Sequence, residues 1–89
     1  MKAIKLSAFG APDVLELAEA ADPEVRPADL LLRVYAAGVH RADLTHRKGG
    51  YGHPDFGDSP IIGLEIAGQV IAKGAAVEGF EVGDRVMGV

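Results

Sequence analysis

The sequence predicts a mainly β domain, a small β-barrel of short strands with one short helix and a glycine-rich loop. Three observations carry this prediction. From Ile66 to Lys73 the side chains alternate with a period of two, with β-branched Ile66, Val70 and Ile71 suited to a pleated surface and Gly68 leaving room for a close backbone neighbour. Leu30 to Ala37 is an apolar run interrupted only by Arg33, as expected of a strand covered on both faces. Glycine and proline cut the rest of the chain into segments of strand length. At 89 residues this is one domain with a thin core, since a chain so short buries little more than ~60% of its unfolded surface.

Taken in order, Met1 to Ser7 alternates Lys2, Ile4 and Leu6 against Ala3, Lys5 and Ser7, and Gly10-Ala11-Pro12-Asp13 supplies a turn. Val14 to Ala18 reads as the return strand of a hairpin, with Leu15 and Leu17 on one face. Pro23 and Pro27 lack the donors that a ladder needs, so Asp22 to Asp29 is a rim connection. The run Leu30 to Ala37 is the leading core candidate, buried between sheet layers or against a neighbouring domain. Gly38 ends it, and Arg41 to Lys48 contains no Gly or Pro, consistent with one or two helical turns too short to stand alone. Gly49 to Pro60 packs four glycines and two prolines into twelve positions and reads as a loop. The Ile66 to Lys73 strand stops at Gly74, Ala75 to Glu81 crosses over, and Gly83-Asp84 turns the chain into a last strand, Arg85 to Val89.

Composition excludes several classes of function. The net charge of −4 comes with Lys and Arg scattered singly, which leaves no footprint for nucleic acid or an anionic membrane. No apolar run approaches the ~20 residues of a membrane helix, and no signal-peptide core opens the chain. The absence of cysteine removes disulfide and thiolate chemistry and fits a reducing interior, so a cytoplasmic location is expected.

Two ordered motifs, G-L-E-I-A-G-Q-V at Gly63 to Val70 and V-G-D-R-V-M-G at Val82 to Gly88, resemble the N-terminal GroES-like domain of the medium-chain dehydrogenase/reductases. Within that superfamily, G-V-H-R-A-D-L-T-H-R-K-G-G-Y at Gly38 to Tyr51 is most similar to the zinc-free quinone oxidoreductases of the zeta-crystallin type. The resemblance spans Met1 to Val89. It implies the substrate-side half of an NAD(P)H-dependent oxidoreductase acting on quinones or enones, in which hydride passes directly from the nicotinamide. It also implies a longer polypeptide. No Gly-x-Gly-x-x-Gly follows a strand, so the Rossmann domain that would hold NADPH is missing from residues 1–89, and the chain alone is expected to bind no cofactor and to lack activity. The faces uncovered in this way are expected to drive self-association.

The resemblance also implies the site. His40 opens the short helix where zinc-dependent relatives carry a cysteine ligand and quinone reductases commonly an asparagine; it either hydrogen-bonds substrate and nicotinamide or caps the helix. Asp43 matches an acidic position that shapes the active site, the other reading being an exposed helix carboxylate. Tyr51 can hydrogen-bond a carbonyl oxygen and stack on a flat quinone, or simply anchor its loop. Leu64 stands where zinc-dependent relatives have a histidine and cannot bind a metal, so no zinc is expected; the spacing of His40, His46 and His53 matches no metal motif. Glu65, set among apolar neighbours, is expected to need a donor such as Arg41 or Arg47. A different class of function remains open: a stand-alone co-chaperonin-like subunit or a non-catalytic interaction module. A heptamer in light scattering would mark the co-chaperonin.

Overall fold

The computed structural model describes residues 1–51 and 59–89. Most of the glycine-rich loop, Gly52 and His53 included, lies outside the described residues. The described chain is strand-rich with a single α-helix and packs as two compact units, Met1–Ala21 with Val39–Leu64 and Asp22–Gly38 with Glu65–Val89.

The first unit is built on a hairpin. Strand β1 (Lys2–Leu6) pairs antiparallel with β2 (Leu15–Glu19), Lys2 opposite Glu19 and Leu6 opposite Leu15. The expected turn is there, tightened into one 3₁₀ turn over Pro12–Val14 with proline at its first position, where a missing N–H costs nothing. Returning chain at Ile61 and Ile62 lies against β1, with the Ile62 N–H donating to the Ile4 carbonyl at 3.1 Å. Helix α1 (Arg41–Arg47) completes the unit, and the Gly10 N–H donates to the Arg47 carbonyl at 3.0 Å, tying the hairpin turn to the helix end. Among the described residues Leu6 and His46 are its buried side chains.

The second unit is a three-stranded antiparallel sheet in the order β3 (Leu30–Gly38), β4 (Glu65–Lys73), β5 (Arg85–Gly88). Val70 on β4 is 1% exposed and is the apolar centre of this sheet. Gly68, beside it, is required by close approach: a Cβ there would sit 2.2 Å from the Arg33 carbonyl oxygen of β3. The turn before β5 is built as expected, with Asp84 accepting the Glu81 N–H at 2.9 Å and Gly83 at φ +98°. No helix among the described residues is long and apolar enough to cross a membrane.

One expectation is corrected. Leu30 to Ala37 is not buried between sheet layers: Leu30–Leu32 are half-buried, but Arg33–Ala37 are exposed, Val34 at 51% and Tyr35 at 67%, and the other expectation, burial against a neighbouring domain, concerns residues outside 1–89. Among the described residues β3 pairs with β4 alone, and the consecutive exposure of Arg33–Ala37 leaves both faces open along that half of the strand. Between Val34 and Ala36 the register shifts by one residue, a bulge that leaves Tyr35 without a partner position on β4.

Candidate functional site

The first unit carries His40, Asp43 and Tyr51, and α1 positions all three. The helix is bracketed by local chemistry that its own sequence supplies. At its start His40 is the N-cap in extended conformation, and its N–H donates to Asp43 Oδ2 at 2.8 Å while the Asp43 N–H donates to the His40 carbonyl at 3.0 Å. This is a capping box with an aspartate in the acidic place, and it places a negative charge at the positive end of the helix dipole. His40 therefore takes the helix-capping position, and Asp43 is a half-buried, working carboxylate and not an exposed one.

At the other end the Gly49 N–H donates to the His46 carbonyl at 3.0 Å and the Gly50 N–H to the Thr45 carbonyl at 2.8 Å. Those two bonds, with Gly49 at φ +92°, form a Schellman motif, in which the residue after the C-cap must adopt a left-handed conformation that suits glycine. The motif reverses the chain, and the next residue is Tyr51. Its ring meets the edge of the His46 imidazole at 6.1 Å between centroids and an interplanar angle of 64°. His46 is 4% exposed and Tyr51 39%, so a buried imidazole braces a phenol ring that remains partly open to solvent.

The structure thus brings His40 to Asp43 and Tyr51 to His46. His46 was considered in the sequence only as a metal ligand, and its bracing role was missed. The adjacent glycines carried the signal, since Gly49-Gly50 after Lys48 spells a helix C-terminus whose exit folds back on the last turn. Asp43 Oδ1 and Arg47 Nε, one helical turn apart in sequence, are both buried without a hydrogen-bond partner among the described residues. Among the described residues no three His, Asp or Glu side chains gather as metal ligands do, and Leu64 is exposed and apolar.

Glu65 belongs to the second unit. It is half-buried at the start of β4 opposite Gly38, and lines a shallow groove of about 280 Å³ with Ala36, Ala37, Ala67 and Met87.

Comparison with known proteins identifies what this arrangement is similar to. The profile of the alcohol dehydrogenase GroES-like domain family matches residues 26–89. The mouse synaptic vesicle membrane protein VAT-1 homolog-like is 40% identical over 88 residues, which are 98% of this chain and 21% of the mouse protein. The quinone oxidoreductase of Lama guanicoe is also 40% identical over 88 residues, 97% of this chain and 26% of that enzyme. Among solved structures, the quinone oxidoreductase of Escherichia coli complexed with NADPH superposes with a TM-score of 0.88 at 28% identity, covering 98% of this chain and 26% of that one. The chain therefore spans about a fifth to a quarter of the length of these relatives.

Proposed function

The chain belongs to the alcohol dehydrogenase GroES-like domain family, and from that premise we propose that it is the substrate-side part of an NADPH-dependent oxidoreductase acting on quinones or enones. The observation that carries this reading is the 40% identity to a quinone oxidoreductase over 97% of the chain. The similarity of its fold to an NADPH-complexed enzyme supports the same reading. The matched profile is that of alcohol dehydrogenases, which weighs against a co-chaperonin ring subunit. A cytoplasmic site of action is part of this proposal.

In the complete enzyme a reduced nicotinamide supplies the hydride. The chain by itself does not fit that cofactor. It contains no Gly-x-Gly-x-x-Gly, and the first turn of α1 is already occupied by the Asp43 carboxylate, which would repel a phosphate. A nucleotide-binding domain outside residues 1–89 is needed, and the part played by this chain concerns the substrate.

That part is positioning and polarisation. The Tyr51 phenol, braced edge-on by the buried His46 ring, donates a hydrogen bond to the carbonyl oxygen of a quinone and offers a flat face on which the ring can lie. Asp43 fixes the backbone of His40 at the start of the helix, and His40 is the residue proposed to meet substrate and nicotinamide there. No side chain of this group forms a covalent bond to substrate, and no zinc takes part.

Joining residues 1–89 in frame to the part of the Escherichia coli enzyme that this chain does not cover tests the proposal. A folded chimera should oxidise NADPH in a manner dependent on para-benzoquinone, and residues 1–89 alone should not. Replacing Tyr51 by Phe in the chimera should lower kcat/KM by about 1 to 2 kcal/mol in transition-state terms, the scale of one lost hydrogen bond. A folded chimera that leaves NADPH untouched in the presence of quinone refutes the assignment.

A further inference from the structure

The three-stranded sheet presents an open face that the proposed reaction does not use. Register places Arg33 opposite Gln69 and Gln69 opposite Arg85, so the three side chains form a row across β3, β4 and β5 on one face. Both arginines are exposed, and neither has an acidic partner among the described residues. Two strand spacings separate their backbones by about 10 Å, a span that two guanidiniums reaching inward can close around one anionic group. In a chain with 13 acidic side chains against nine Lys and Arg, two exposed cations on one sheet face with no carboxylate between them leave that face locally positive.

The same row adjoins a groove shaped for the rest of a ligand. Tyr35, Ala67, Arg85 and Met87 line a groove of about 400 Å³, within the range of small-molecule sites. Its floor is small, at Ala67 and Gly68, and its walls are an aromatic ring and a thioether. The Tyr35 hydroxyl reaches Gln69 Oε1 at 3.4 Å, and Gln69 Nε2 donates to the Gly83 carbonyl at 3.1 Å. Tyr35, 67% exposed, thus stands beside Gln69 at the edge of the groove. The acidic residue nearest along β4 on this face is Glu65, four positions from Gln69 and about 13 Å away by strand rise, at the opposite end from the arginines.

From this juxtaposition we propose that the open face of the β3-β4-β5 sheet is a binding site for a small aromatic anion. Its carboxylate or phosphate lies between Arg33 and Arg85, and its ring lies over Ala67 between Tyr35 and Met87. The proposal is independent of the oxidoreductase reading, because it involves neither Tyr51 nor His40.

Titration of residues 1–89 with phenyl phosphate and with benzoate, followed by NMR at the Gln69 side-chain amide and the Met87 methyl, tests it. Saturable shifts with at least one of the two probes are expected, and which head group binds more tightly identifies the source of the anion. Arg33→Gln and Arg85→Gln should each weaken binding by about tenfold, and Tyr35→Ala by about fivefold with the charges intact. Because these positions are exposed, an unchanged amide spectrum elsewhere will show that the variants are folded. Shifts that fail to saturate with both probes, or that persist unaltered in Arg85→Gln, overturn the site.

Discussion

At Asp43 one carboxylate fixes where a helix begins and, with it, where His40 leaves the backbone. Asp43→Ala removes the acceptor of the His40 N–H and should cost about 1 kcal/mol, lowering the thermal midpoint by about 4 to 8 °C in a domain of this size. Asp43→Asn, which keeps an acceptor, should recover most of the loss. Equal melting of wild type and Asp43→Ala would show the cap to be idle. Asp29 is a second carboxylate with defined work. The Arg26 guanidinium donates to it at 2.7 Å and holds its carboxyl below the ordinary carboxylate value. A lowered pKa means that the contribution of the Arg26–Asp29 turn is complete above the unfolded value of about 3.9 and is lost as the pH falls below it toward the folded value. The turn is exposed, so the readout is local: the Asp29 carboxyl resonance should titrate below that of a free aspartate and return to the ordinary range in Arg26→Gln.

Among the elements, the β3–β4 pair is the one on which the second unit depends. Gly68→Ala drives a Cβ to within 2.2 Å of the Arg33 carbonyl, a backbone atom that cannot turn aside, so the ladder itself must shift. The cost should reach about 3 kcal/mol, the upper part of the range for overpacking. Gly88→Ala provides the control, since nothing lies within 4 Å of its Cβ position and its φ is not in the left-handed region, and it should stay within about 0.5 kcal/mol of wild type. Urea unfolding measures both, and equal midpoints for the two variants would contradict the close approach. Strand pairing and the helix were legible because the period-two pattern on β4 and the cap residues around α1 are local signals. The exposure of β3 was not. A run such as Leu30-Leu31-Leu32-Arg33-Val34-Tyr35 has no alternation to say which face is covered, and a bulge at Tyr35 leaves no mark in the residues themselves.

For the whole molecule, exposed apolar side chains outside the arginine row, Leu17 at 69% on β2 and Val34 at 51% on β3, predict self-association. Sedimentation at micromolar concentration should show a dimer or larger species; a clean monomer would refute this. Read by itself, the sequence determined the family, the mainly β class with one helix, the Gly68 contact and the turn at Gly83-Asp84, all of which rest on residue types at fixed short spacings. It also named His40, Asp43 and Tyr51 together. Only the tertiary structure decided their partners: His40 is joined to Asp43 through a capping box, whereas Tyr51 turns back onto the buried His46 because the helix closes in a Schellman motif. Short-range spacing determines which conformations a segment can adopt, but the partner of a side chain depends on the direction in which the backbone leaves each element, and that direction is set by hydrogen bonds formed only when the chain has folded.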